Sequence, residues 1–370
     1  MSKVKLSEIG TFKNGLNFSA ERVLSGCKMI GVPDFGDNYL AKLDGLKEVD
    51  EDIVSTDYLL QDNDILFVRS NGNKNLVGRA MLIEKIKEKV TFSGFCIRFR
   101  ITNNNVNPLY MLYLFKSPLF RKLFSNTQQT SISNLNQEIL GNIEVELPTI
   151  GQQNRIVKVI HGITRKIENN KRINDNLEQQ IKTIFTFQFL QNANTEWKQQ
   201  SLAELSEMYQ PKTISGKDLI ADGNYFVYGA NGIIGKYNQY NHSESEIAVA
   251  CRGASCGSIQ MTLPFSWITG NAMVVKPHSD FPYREYLYYY LLAKNPNYLC
   301  SGSAQPQLTR ENLTLYSLKV PSTTELNAFE SYAEKVRKII IKNQQENIEL
   351  STLRDWLLPM LMNGQATVSD

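Results

Sequence analysis

The feature that most constrains this chain is an internal duplication. At an offset of 173 residues, the stretch from about Ser131 to Phe185 meets the stretch from about Ala304 to Leu358 without a gap. Ile132-Ser133-Asn134-Leu135 falls on Gln305-Pro306-Gln307-Leu308, Glu138 on Glu311, Leu140 on Leu313 and Pro148 on Pro321. A long helical pattern follows each proline. Solenoid units run roughly 20–50 residues, so a period this long means something else. It implies two similar globular modules, each followed by a helix, which suits a two-part target better than a single catalytic pocket.

A chain of 370 residues has room for two cores of ordinary domain size. We expect a module at 1–148, a helical spacer at 149–194, a second module at 195–321 and a C-terminal helical spacer at 322–370. Forty Lys+Arg against 37 Asp+Glu give a net charge of +3, which permits a nucleic-acid partner without demanding one. Five cysteines at irregular spacing suggest neither a disulfide framework nor a zinc ribbon, and fit a reduced cytosol. No apolar run has signal-peptide character or approaches the roughly 18 residues of a membrane helix, so a cytoplasmic protein with no membrane partner is expected.

Corresponding pieces recur within the modules. Leu6-Ser7-Glu8-Ile9 and Leu202-Ala203-Glu204-Leu205 read as opening turns that pack onto a core. Asp64-Ile65-Leu66-Phe67-Val68 reads as a buried strand that runs into the polar stretch from Arg69 to Asn75; Glu246-Ile247-Ala248-Val249-Ala250 does the same before Cys251 to Ser255. Phe92-Ser93-Gly94-Phe95 and Ile268-Thr269-Gly270-Asn271-Ala272 read as strand-like. The aromatic runs Pro108–Phe115 and Arg284–Leu292 read as helices laid on a sheet. Mixed α/β modules result.

From Ile156 the pattern becomes a heptad: Ile156, Ile163, Asn170, Leu177 and Ile184 lie seven apart, and the second copy supplies Phe329, Val336, Asn343, Leu350 and Leu357. Asn170 and Asn343 interrupt the two stripes at the same place. A buried asparagine penalises registers that leave it without a polar partner, so we expect these helices to pair with each other. If chain-equivalent helices pack antiparallel, a pseudo-twofold relates the modules before them. Duplex DNA has local twofold symmetry, so such an object can present equivalent loops to two unlike half-sites.

Several apparent catalytic signals fail. Asn295-Pro296-Asn297-Tyr298 is one residue away from the Asn-Pro-Pro-Tyr motif of amino-methyltransferases, and no glycine-rich cofactor loop accompanies it. The run from Gly229 to Lys236 misses phosphate-loop spacing by one residue and reads as a glycine turn. His161, His242 and His278 lie at no metal-ligand spacing and read as surface or boundary residues. Cys251 and Cys256 read as packing residues, and the tyrosines of the 286–290 run as core.

The chain resembles the specificity subunit of type I restriction-modification systems over essentially its whole length. The likeness is strongest in Leu147-Pro148, Gln152-Gln153, Arg155-Ile156, Lys166-Ile167, Asn170, Ile173-Asn174 and Leu177, and in Val320-Pro321, Asn347, Leu350, Leu353-Arg354-Asp355 and Leu357-Leu358-Pro359. Tyr228-Gly229-Ala230-Asn231-Gly232 and Ser303 to Leu308 resemble recurring pieces of the family's target-recognition domains.

The resemblance implies a mixed α/β fold. Two pseudo-repeat target-recognition domains, each a twisted sheet with packed helices, are separated by two long helices forming an antiparallel coiled coil. It also implies a non-catalytic subunit that reads bipartite double-stranded DNA and joins two methyltransferase subunits and, for cleavage, restriction subunits. S-adenosylmethionine and ATP with magnesium are expected on those partners, with no cofactor or metal in this chain. The candidate DNA contacts are Arg69, Ser70, Asn71, Asn73, Lys74, Gln129, Thr130 and Ser131 in the first module, and Asn231, Arg252, Ser255, Gln305 and Gln307 in the second. Ordinary solvated turns or local caps would use the same residue types. A self-sufficient methyltransferase or nuclease, and a coiled-coil adaptor without DNA specificity, are the competing readings.

Overall fold

The computed structural model describes residues 2–17, 26–36, 39–73, 76–120, 135–302 and 305–368. The chain divides into two compact units, Met1–Glu168 with Ile348–Asp370, and Asn169–Asn347. Each unit includes part of both long helices.

The described residues of the first unit form β1 (Ser2–Lys5), β2 (Gly10–Asn14), β3 (Gly26–Ile30), β4 (Lys47–Asp50), β5 (Ile65–Val68), β6 (Ala80–Leu82), β7 (Val90–Phe92), β8 (Cys96–Ile101) and β9 (Glu144–Leu147). Those of the second form β10 (Lys198–Ser201), β11 (Ser206–Tyr209), β12 (Tyr225–Gly229), β13 (Gly232–Tyr237), β14 (Ile247–Ala250), β15 (Ile259–Met261), β16 (Trp267–Ile268), β17 (Ala272–Pro277) and β18 (Ser317–Val320). The first unit has sheets ordered β2-β8-β5-β6, β4-β3-β7 and β1-β9; raising every strand number by nine gives the second unit's sheets. Even the parallel pairs correspond, β3 with β7 and β12 with β16. The duplication therefore extends through both whole modules.

Central strands β5 and β14 are apolar throughout because both of their faces are covered. Ile65 and Phe67 enter the core under the aromatic helix Pro108–Lys116, whereas Leu66 and Val68 enter a second core with Ile30 and Phe92 from the smaller sheet. In β14, Ile247 and Val249 face the helix Arg284–Ala293, and Ala248 faces Tyr228 and Ile268. Leu6, Ile9, Leu202 and Leu205 are buried as expected of opening turns, and Tyr286 and Tyr289 lie fully in the core. The segments around Gly94 and Gly270 are not strands throughout: they are the turns joining β7 to β8 and β16 to β17.

The first long helix spans Ile150–Phe185 and the second Thr323–Met362. The two starts differ in sequence yet close the same reciprocal cap: Gln152 Oε1 accepts from Thr149 N–H at 3.1 Å, and Glu325 Oε2 accepts from Ser322 N–H at 2.9 Å. Within the second unit the helices run antiparallel, since Asn170 meets Asn347, Asn174 meets Ile340, Glu178 meets Arg337 and Phe185 meets Phe329. Within the first unit, Ile156, Val157 and Ile160 share a core with Leu358, Leu361 and Met362.

The buried stripe is displaced from the heptad read in the sequence. Ile156, Asn170, Phe329 and Val336 are buried, but Ile163, Leu177, Ile184, Asn343, Leu350 and Leu357 are only partly so. The centre of the face runs through Gln153, Ile160, Ile167, Asn174 and Ile181 in one helix, and through Leu326, Ala333 and Ile340 in the other. Each helix packs on a module core as well as on its partner, so its apolar face is broader than a coiled-coil seam. For the same reason the helices are not bodies separate from the modules. Gln153, for example, is fully buried; its Oε1 accepts from Asn107 N–H at 2.8 Å and its Nε2 donates to Pro148 O at 2.9 Å.

Candidate nucleic-acid interface

The loop after the central strand is held by one frame in both units. In the first, Arg69 N–H donates to Phe95 O (2.7 Å), Leu135 N–H to Arg69 O (2.8 Å), Val68 N–H to Arg79 O (2.9 Å) and Gly78 N–H to Val68 O (2.9 Å). In the second, Cys251 N–H donates to Asn271 O (2.9 Å), Leu308 N–H to Cys251 O (2.9 Å), Ala250 N–H to Ser258 O (2.8 Å) and Gly257 N–H to Ala250 O (2.9 Å). Gly78 and Gly257 close the loops at φ +80° and +83°, a backbone conformation that favours glycine. At Gly257 a Cβ would also lie 2.7 Å from Asn297 Cα.

This frame pairs Arg69 with Cys251, as the alignment of the two strand runs does, and Arg252 lies one position further on. A strand's side chains alternate faces, so the two arginines take different roles. Arg69 is half-buried and its Nη1 donates to Gly94 O at 3.3 Å, whereas Arg252 is exposed. Ser70 and Asn71 are half-buried beside Arg69, and Asn71 Oδ1 accepts from Asn73 N–H at 2.7 Å, an Asx turn that shapes the loop from within. Lys74, Gln129, Thr130 and Ser131 lie outside the described residues.

The second loop gathers more of its candidates. Arg252 and Ser301 both bridge Gln307 through the backbone, and Gly253 N–H donates to Pro306 O at 3.0 Å. Arg252, Gln305 and Gln307 are exposed along this strip, with Ser255 half-buried in the loop. Asn231 stands exposed in the tight turn between β12 and β13. Gln260 Nε2 donates to Gly229 O at 2.9 Å and Thr269 N–H donates to Tyr228 O at 2.9 Å, which seats the start of that turn against β15 and the turn before β17.

Phe95, 61% exposed, and the exposed Asn271 are frame residues that the sequence reading missed. Their signal was the pair of glycines Gly94 and Gly270, which mark turns. Two further readings are revised. Cys256 is not simply a packing residue, because it forms a disulfide with Cys300. His242 is buried, and its Nε2 lies 2.9 Å from Tyr209 Oη; burial first, and Lys276 second, lower its pKa.

The remaining motifs fall into local structure. Asn295 caps the short helical turn Pro296–Leu299 through Asn297 N–H at 2.9 Å. Gly229 to Lys236 forms the β12–β13 hairpin. Among the described residues, no helix is long and apolar enough to cross a membrane.

Residues 1–179 and 194–351 match the type I restriction modification DNA specificity domain. A Methanocaldococcus jannaschii protein described as the MjaX specificity subunit of a type I restriction enzyme is 20% identical over 96% of this chain and 91% of its own length. The Escherichia coli EcoprrI specificity subunit is 30% identical over 34% of this chain and 32% of its own. The solved S subunit of the M. genitalium type I restriction-modification system superposes over 98% of this chain and 96% of its own, with a TM-score of 0.62 at 15% identity.

Proposed function

The chain belongs to the type I restriction modification DNA specificity family, whose subunits are not themselves catalytic, and from that premise we propose that its two units read the two halves of one bipartite double-stranded DNA target. One observation supports this above the others: the same backbone frame recurs in both units while carrying different side chains. Arg69, Phe95 and Asn71 in the first correspond to Cys251, Asn271 and the Arg252–Ser255 loop in the second. A shared frame presents a loop to DNA in the same way twice, and unlike side chains read unlike bases.

In this reading the long helices set the separation of the half-sites and dock two methyltransferase subunits. Exposed Ile173, Ile339 and Trp356 offer apolar area for that purpose. Restriction subunits join for cleavage. The partners carry S-adenosylmethionine and ATP with magnesium, and the complex works in the cytoplasm.

A net charge of +3 is small for a chain that must hold duplex DNA by itself. DNA should therefore bind weakly to the lone subunit and more tightly, with a steeper salt dependence, once the methyltransferase supplies further phosphate contacts. Titration at several salt concentrations, with and without the partner, tests this. Nanomolar binding by the lone chain, unchanged by the partner, would refute it.

A further inference from the structure

We propose that Cys256 and Cys300 form a reversible thiol–disulfide site that sets how tightly the second module holds its half of the DNA. The inference rests on the recognition reading above. The bond joins residues 44 apart in sequence: Cys256 ends the loop after β14, immediately before Gly257, and Cys300 follows the helical turn Pro296–Leu299. Backbone bonds already knit these segments through Arg252, Ser301 and Gln307, so the disulfide lies across the strip that exposes Arg252, Gln305 and Gln307.

The first module holds the matching position differently. Gly78 is the counterpart of Gly257, and Val77 before it is 4% exposed within the apolar core. Packing secures the first loop; a covalent bond secures the second. Access separates the cysteines as well. Cys27, Cys96 and Cys251 are free and fully buried, and burial pushes the Cys96 thiol up to about 12 and raises the other two. Cys256 and Cys300 are half-buried, within reach of a small reagent.

The oxidant is a low-molecular-weight disulfide of the glutathione class. One protein thiolate attacks it, releasing one small thiolate and forming a mixed disulfide. The second protein thiolate then attacks the protein-side sulfur and releases the other. Two protein thiols and one small disulfide become one protein disulfide and two small thiols, and excess thiol reverses the exchange. Opening the bond leaves the loop to be ordered at the expense of DNA binding.

The test uses the full chain assembled with its methyltransferase subunits. After equilibration in glutathione and glutathione disulfide mixtures, alkylation and peptide mass spectrometry should find Cys256 and Cys300 protected together when oxidised and labelled together when reduced. Footprints on DNA carrying the methylated target should show the second module's half-site, assigned by exchanging residues 1–148, losing roughly three- to tenfold in affinity on reduction, the scale of ordering one loop. The first half-site should not respond, and a Cys256→Ser complex should keep the reduced value in either mixture. Independent labelling of the two cysteines, or equal protection of the second half-site in both mixtures, overturns the proposal. Absence of any sequence-specific footprint overturns the recognition reading with it, and is told apart because thiol pairing is scored without DNA.

Discussion

Asn343 Nδ2 donates to Asn174 Oδ1 at 2.8 Å, and Asn170 Nδ2 donates to Asn347 Oδ1 at 3.0 Å. The offset of 173 residues carries Asn170 to Asn343 and Asn174 to Asn347, so these two bonds are one bond repeated, with the same donor direction. The asparagines do not meet their own copies; each meets its neighbour's. Sliding either helix by one turn would break both bonds and leave the buried Asn170 and Asn174 amides without them, each costing about 1–3 kcal/mol if left unpaired. The crossed pairs thereby specify an antiparallel register.

Replacing one member of a crossed pair should cost more than replacing both. We expect Asn174→Leu to destabilise the chain by about 1–3 kcal/mol, because it leaves the Asn343 amide without its acceptor. Adding Asn343→Leu should recover most of that loss. Denaturant unfolding of the two single variants and the double, read as a double-mutant cycle, checks the coupling.

Arg337 is the hub of a buried charge cluster in the second unit. Its guanidinium pairs with Glu285 Oε2 at 3.0 Å, contacts Glu178 and donates to Tyr289 Oη at 3.0 Å. Burial alone would lower its pKa, but Glu285, Tyr289 and Glu178 outweigh burial and raise it. Arg337→Ala would leave the fully buried Glu285 without its cation and should cost about 3–5 kcal/mol. Thermal unfolding with probes in each unit should place the loss in the second.

Glu330 should make the second unit's stability depend on pH. Its carboxylate accepts from Glu285 N–H at 2.9 Å and Tyr286 N–H at 3.1 Å, at the start of the helix Arg284–Ala293. Burial pushes its pKa up to about 7 despite those bonds. A folded value above the unfolded one means the folded chain binds the proton more tightly. That contribution is complete below the unfolded carboxylate range and is lost as pH rises through about 7. Between those limits the slope should approach about 1.4 kcal/mol per pH unit. Glu330→Gln should flatten it, as denaturation across that range will show.

The module, with nine strands among its described residues, was only partly legible in the sequence. Local signals placed β5, β14 and both aromatic helices correctly, because continuous apolar runs and helical spacing depend on neighbouring residues. The frame that holds Arg69 and Cys251 was hidden. Each central strand runs into a polar loop that the sequence shows, whereas the frame rests on backbone bonds to Phe95 and Asn271, twenty or more residues away. The Cys256–Cys300 disulfide was hidden for the same reason: spacing alone does not pair residues that the fold brings together. The helix caps were legible, since Thr149 with Gln152 and Ser322 with Glu325 both fit the Ser/Thr-x-x-Glu/Gln pattern, but their likeness was masked by differing residues.

Arg252 should act on one half of the target only. Arg252→Ala is expected to reduce affinity roughly tenfold, about 1.4 kcal/mol. Methylation of DNA altered at single positions should relax in the second half-site alone if Arg252 reads a base. A contact to phosphate would instead lower the salt slope by about one.

The most direct test of the account is to replace residues 1–148 with the first module of another family member, assemble the hybrid with its methyltransferase, and sequence the methylated genomic DNA. We predict a target in which one half changes to that of the donor while the other half is retained. A target altered in both halves, or in neither, would contradict the assignment of one half-site to each module.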